Sequence, residues 1–147
     1  MAAKRTYKHV LLATDLTPAG KRIAKRAVII AKSLRAKLSI VHVFAHAPVA
    51  YAGEFSIPID AEFEISLKRA ALKKLNKFAK SHRIPAKMAY LKEGSVKSAV
   101  IGLSKKIRAD LIIVGEHSHD GISVLLGSQA SAILHAAPCD VWVIKAK

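Results

Sequence analysis

The sequence predicts an α/β fold in which a parallel sheet carries helices on both faces. Three observations predict it. Five short apolar segments alternate with four longer amphipathic ones, in the order βαβαβαβαβ. The short segments are apolar at nearly every position, as in LSIVHVF and LIIVG, which suits strands buried on both sides. Capping residues, prolines and glycines fall between the segments, and strands separated by helices join one parallel sheet through right-handed crossovers. At 147 residues and 52% hydrophobic content, the chain is expected to form one domain, 1–147, with a sizeable core.

Residues 7–14, YKHVLLAT, read as the first strand and run into Asp15. Thr17 is a helix cap, and Pro18 suits the first helical position, where a missing amide costs nothing. The stretch 20–36 then sets Ile23, Ala27, Ile30, Ala31 and Leu34 on one face, with lysines and arginines elsewhere. LSIVHVF (38–44) is the second strand. Residues 45–58, AHAPVAYAGEFSIP, show no period and hold Pro48, Gly53 and Pro58, which predicts a long irregular loop. Asp60 is placed to cap the next helix, whose apolar stripe of Phe63, Leu67, Ala70, Ala71, Leu75 and Phe78 reaches to about His82. After Pro85, AKMAYL (86–91) is the third strand. Gly94-Ser95 open a helix with Val96, Val100, Ile101 and Leu103 facing inward, and ADLIIVG (109–115) is the fourth strand. Gly127-Ser128 open a short helix to Ala136, Pro138 closes it, and DVWVIK is the fifth strand.

The totals narrow the functional classes. No apolar run approaches the ~20 residues that span a bilayer, and the one near the N-terminus ends at Asp15, too short for a signal peptide. A single cysteine, Cys139, excludes a disulfide within the chain, so a cytoplasmic protein with no membrane partner is expected. The formal net charge of +15 is unevenly spread. Residues 1–44 carry ten Lys/Arg against Asp15, residues 45–67 four acids and no Lys/Arg, and residues 68–108 thirteen Lys/Arg against Glu93. Basic blocks attract polyanions, yet aromatic residues do not interleave them as base stacking requires. The expectation is solvated helix faces, with weak, sequence-independent nucleic-acid binding at most.

In open parallel sheets ligands gather at the carboxyl ends of strands. Asp15, the loop after strand two and the GEHSHDG loop (115–121) after strand four all fall there. An acid at Asp15 can accept from a ribose hydroxyl or a nucleobase, or serve as a cap for the amide of Thr17; both readings stay open. Gly115 permits a tight exit from its strand. Gly127-Ser128 offers amides and a hydroxyl at a helix N-terminus, an anion site or a plain turn and cap. Neither a Walker loop nor a G-x-G-x-x-G fingerprint is present. His117, His119 and Asp120 lack a closed ligand set, so no metal is expected. His42 reads as a hydrogen-bonded core histidine and Cys139 as a small apolar residue. No nucleophile–base–acid set emerges, so no enzyme is expected.

The segments YKHVLLATDLT, IVHVF, DLIIVGEHS and LLGSQASAILHAAPCDVWVI together resemble the universal stress protein family along the whole chain. The pairing of D-L-I-I-V-G with G-S and A-P-C-x-V-x-V-I is specific. The resemblance implies a five-stranded parallel sheet of order 3-2-1-4-5 (Rossmann-like, of the adenine-nucleotide alpha-hydrolase type), a homodimer and a role in stress resistance. Nucleotide-binding members of the family carry G-x-x-G, nine residues and G-S/T around the ATP phosphates. An aspartate after strand one and a valine ending strand two hold the adenosine. The resemblance places Asp15 and Val43 on the adenosine side and Gly115, Gly127 and Ser128 in the phosphate loop. Two departures stand out: Ser118 replaces the second glycine, and only residues 119–126 separate it from Gly127. Serine adds a Cβ and narrows the dihedrals where backbone must approach phosphate. GEHSHD also resembles the loop of the A-like members, which as a group do not bind ATP. The implied protein is A-like and non-catalytic, with a degenerate nucleotide site and no cofactor; the alternative is a small-molecule sensor that binds ATP or another adenine nucleotide.

Overall fold

Val10, Leu11 and Leu12 of the first strand, β1 (His9–Ala13), are all fully buried, which requires cover on both faces of a sheet. A computed structural model describes residues 6–44, 49–52, 55–58, 61–116 and 128–146 and places β1 at the sheet centre. Its parallel neighbours are β2 (Lys37–Phe44) and β6 (Leu111–Glu116), with Val10 opposite both Leu38 and Leu111. Beyond them lie β5 (Ala89–Glu93) beside β2 and β7 (Asp140–Lys145) beside β6. Counting the strands of this sheet along the chain, the order is 3-2-1-4-5, as expected. The remaining strands, β3 (Val49–Ala52) and β4 (Phe55–Pro58), form a separate antiparallel pair inside the stretch expected to be irregular. The signal was present in sequence: two residues, Gly53 and Glu54, separate VAYA from FSIP, a spacing with glycine first that favours hairpins.

Alternation along the strands sorts the core into two layers. Val10, Leu12, Ile40 and Ile113 pack with helices α1 (Pro18–Ser33) and α2 (Ala61–Ser81). Leu11, Val41, Ile112 and Val114 pack with α3 (Val96–Lys106) and α4 (Ser128–Ala136). Each fully buried Leu or Ile is worth roughly 1.5–3 kcal/mol relative to exposure. Thr17 caps α1 by accepting from the Gly20 amide at 3.1 Å, and Ser95 caps α3 from the Ser98 amide at 3.3 Å.

The stripe on α2 is buried only in its second half, at Ala71, Leu75, Phe78 and Ala79. Phe63 and Leu67, expected on the same inner face, are 52% and 37% exposed. The cause is length. A helix of 21 residues runs about 31 Å, whereas the five-residue β5 beneath it spans about 17 Å. Lys68 reaches Glu93, the last residue of β5, at 2.9 Å, so the part of α2 before Lys68 overhangs the sheet. The third strand also starts later than its sequence suggests. Met88 N–H donates to the Pro85 carbonyl at 2.9 Å and closes a 3₁₀ turn over Ala86–Met88.

Three helices end in the same way. After α1, α2 and α3 the chain turns left-handed at Arg35, Arg83 and Arg108, with φ of 54°, 57° and 57°. In each case the next amide reaches back to the helix: Ala36 to Ala31 O, Ile84 to Ala79 O and Ala109 to Ser104 O, at 2.8–2.9 Å. Glycine is the usual residue at this position, and a side chain there costs on the order of 1 kcal/mol. Just below, a buried network ties the starts of the strands together. His9 Nδ1–H donates to Ile107 O at 3.1 Å, leaving Nε2 to accept from the fully buried Ser39 hydroxyl at 2.7 Å. Accepting from Ser39 needs the neutral ring, and burial, helped by Lys37, lowers the His9 pKa, whereas the bond to Ile107, which either form of the ring can donate, raises it.

Candidate functional site

The carboxyl end of β1 sets the site. Thr14 extends the pairing by donating its amide to Val41 O at 3.0 Å, and the chain then turns sharply at Leu16, whose φ of 63° is left-handed. Such strain persists where surrounding bonds over-determine it. Here Leu16 N–H donates to Thr14 Oγ1 at 3.3 Å, and Asp15 Oδ1 accepts from the Thr17 amide at 3.0 Å and its hydroxyl at 2.6 Å. Thr17 in turn accepts from Gly20, so one relay joins Asp15 to the first turn of α1. Asp15 thus braces the turn, as the cap reading expects, and it also lines the cavity.

Gly20 makes this possible, and sequence reading passed it over. A Cβ there would stand 2.6 Å from Asp15 Oδ1 and 3.1 Å from Thr14 Oγ1. Glycine one turn into a helix costs stability, and that cost is the signal by which it can be found. His42 is half-buried and donates Nδ1–H to Thr14 O at 2.9 Å. It is hydrogen-bonded as expected, but it also lines the cavity.

That cavity, about 300 Å³, opens where β1, β2 and β6 end. Its apolar wall comes from Val41, Val43 and Val114 of the sheet, Ile23 of α1, Val96 of α3, and Ala130 and Ile133 of α4. Thr14, Asp15, His42 and Gln129 supply the polar edge. Of the sequence-predicted residues, Asp15, Val43 and Gly115 meet here, and Ser128 begins α4 directly before the lining residues Gln129 and Ala130. Ser118 and Gly127, like His117, His119 and Asp120, lie outside the described residues.

Gly115 has a different role from the one expected. It lies within β6, not at its exit, and among the described glycines the left-handed one is Gly94, at φ 101°. What Gly115 provides is space: an added Cβ would meet Ile23 Cδ1 at 2.0 Å. Among the described residues no group of three or more His, Cys, Asp or Glu is placed to hold a metal ion. Cys139 is half-buried, away from the cavity, and burial raises its thiol pKa. The cavity thus combines an apolar wall with a small polar edge that includes one carboxylate, the general make-up of a small-molecule pocket.

The family model described as "Universal stress protein family" matches residues 6–145. The chain belongs to the universal stress protein family. It is 45% identical over 138 residues to universal stress protein A homolog 1 of Coxiella burnetii, covering 94% of this chain and 96% of the relative. Solved universal stress proteins share the fold. The UspA protein from Lactobacillus plantarum superposes with a TM-score of 0.69 at 24% identity, over 97% of this chain and 99% of that one. A universal stress protein in complex with cAMP gives 0.60 at 24% identity, over 96% and 98%.

Proposed function

We propose that this universal stress protein is a non-catalytic binding protein of the stress response, cytoplasmic and homodimeric, that keeps the nucleoside half of an adenine-nucleotide site. The observation that carries this reading is the meeting of Asp15, Val43 and Gly115 around one apolar cavity of about 300 Å³, a size suited to a purine nucleoside. The cAMP complex of a structural relative makes adenine compounds the natural probes. The groups with chemical potential are already committed to holding the turn, Asp15 to Thr17 and His42 to Thr14 O, which favours binding over catalysis. Among the described residues no helix is long and apolar enough to cross a membrane.

Titration calorimetry with adenosine and with Mg-ATP tests the site. A nucleoside pocket without a working phosphate grip should bind the two within about tenfold of each other, a difference of ~1.4 kcal/mol. Low-micromolar binding of Mg-ATP, far tighter than adenosine, would instead mean that the phosphate loop works and the protein is a nucleotide sensor. No binding of either compound would remove the nucleoside reading itself.

The dimer reading rests on β7. It borders β6 on one side only, Val141 and Val143 are half-buried and Trp142 is 37% exposed, its ring edge-on to Tyr7 at 5.8 Å. An apolar open edge invites strand pairing. Sedimentation at micromolar concentration should give about twice the 15.9 kDa chain mass; a monomer under those conditions refutes the dimer.

A further inference from the structure

The three left-handed arginines share one end of the molecule. Helices α1, α2 and α3 run against the strands, so Arg35, Arg83 and Arg108 all stand at the amino end of the sheet, opposite the nucleoside cavity. The bonds Lys37 N to Lys8 O and Asp110 N to His9 O show β2 and β6 starting level with β1 there. Each arginine has two basic neighbours in its turn: Lys32 and Lys37, Lys80 and Lys87, and Lys105 and Lys106. All nine side chains are exposed.

Carboxylates do not balance them. Among the described residues this end holds Asp110 and Asp140. Asp110 accepts from the Lys8 and His9 amides at 2.8 and 3.0 Å, and Asp140 from the Tyr7 hydroxyl at 2.7 Å. The other described acids, Asp15, Glu62, Glu64, Glu93 and Glu116, stand at the opposite end. Cations at helix C-termini ordinarily offset the helix dipole, but three termini amount to only about −1.5 charges. Nine cations far exceed that.

We propose that the amino end of the sheet, carrying Arg35, Arg83 and Arg108 with their flanking lysines, docks the phosphate backbone of duplex nucleic acid without reading its sequence. The texture of the surface selects this partner. A protein interface centres on an apolar core, and stable membrane anchoring adds a buried apolar group to a basic patch. Neither projects from these turns. Of the large exposed apolar residues, Phe63, Ile65 and Leu72 lie along α2 before its last turn, while Leu134 in the last turn of α4 and Trp142 on β7 lie toward the β7 edge, away from the three arginine turns. Ile29 stands on α1 at the side of a groove of about 580 Å³ between α1 and the turn after α2. Lys25, Lys32 and Arg83 rim this groove, while Leu38 and Ile84 are recessed in its floor. A phosphate backbone asks only for charge and donors, and a guanidinium fork pairs with two phosphate oxygens at once. The arginine turns lead into β5, β2 and β6, which span three strand spacings, about 14 Å, well inside one duplex turn of about 34 Å.

The test compares two triple variants that remove the same charge from opposite ends. Wild type should bind a duplex of mixed sequence at about 150 mM salt with a Kd in the non-specific range of roughly 10⁻⁴–10⁻⁶ M, tightening steeply as salt falls. Arg35→Gly with Arg83→Gly and Arg108→Gly should weaken binding at least about tenfold at about 50 mM salt and cut the salt slope by about 3. Its Tm should hold or rise, because glycine is at ease in that backbone conformation, so a folding defect cannot mimic the result. Lys21→Gln with Arg22→Gln and Lys97→Gln should leave affinity within about threefold, since these residues lie at the other end and make no phosphate contact. Equal losses in both triples, or none in the arginine triple, would overturn the surface. Nanomolar, sequence-preferring binding would overturn the mode of reading. Polyglutamate or phosphatidylglycerol vesicles bound as tightly as duplex, with the same response to the arginine triple, would overturn the partner.

Discussion

Gly115→Ala should lower the melting temperature by about 2–12 °C, and Ile23→Val should give much of that loss back. An alanine Cβ at 115 would stand 2.0 Å from Ile23 Cδ1 and 3.1 Å from Cγ1. Ile23 is buried in the core between α1 and the sheet, and its open side faces the cavity it lines. The displaced Cδ1 must swing there, off its preferred rotamer and into the volume a ligand would use. Such overpacking costs about 1–3 kcal/mol, and each kcal/mol is worth about 2–4 °C in a chain of this size. Ile23→Val alone should cost about 0.5–1.5 kcal/mol, but it removes the clashing methyl. The double variant should therefore be more stable than the sum of the singles by ~1 kcal/mol or more. Thermal unfolding of the four proteins measures this coupling; strictly additive losses would mean that the contact does not govern the site.

Rebuilding the glycine loop should strengthen ATP binding by about ten- to a hundredfold. Asp15, Val43 and Gly115 already surround the cavity, and Ser128 starts the helix beside it. The two departures are Ser118 and the eight-residue spacer 119–126. Ser118→Gly together with one residue inserted between His119 and Gly127 restores both the backbone freedom and the spacing. One regained hydrogen bond to a charged phosphate is worth ~1.5–3 kcal/mol, which sets the expected range. Calorimetry with Mg-ATP on the parent and rebuilt proteins decides it. An unchanged affinity would place the defect outside the loop.

The sheet was legible because strands buried on both sides and amphipathic helices leave different periods in the chain. Thr17-Pro18 and Ser95 marked helix starts for the same reason: caps are local chemistry. What escaped was non-local. The exposure of Phe63 and Leu67 depends on how far α2 outruns β5, which no window of residues contains. The β3–β4 pair lay in a stretch where Pro48 and Pro58 masked a short hairpin spacing. At the site, Asp15 and Val43 could be placed through family resemblance, but Gly20 and the real role of Gly115 could not. Both are fixed by side chains that reach them across space, Asp15 and Thr14 in one case and Ile23 in the other. The three arginines showed only as charge, because their shared end emerges once helices of different lengths finish level with the strand starts.

The open edge of β7 has a geometric consequence for the basic end. A two-fold axis that continues the sheet through β7 must reverse the strand direction, so the two copies pair antiparallel. The arginine turns of one protomer then point one way and those of its partner the other. Such a dimer is a two-headed connector, cationic at both extremities, and the opposed charge gradients of its halves cancel along the strand direction. A short duplex would occupy one head. A long or folded one would meet both, and the second attachment would occur at the high effective concentration set by the first. Weak grips at each pole would then add up to a bridge, drawing separate stretches of nucleic acid toward each other instead of marking any one place along them.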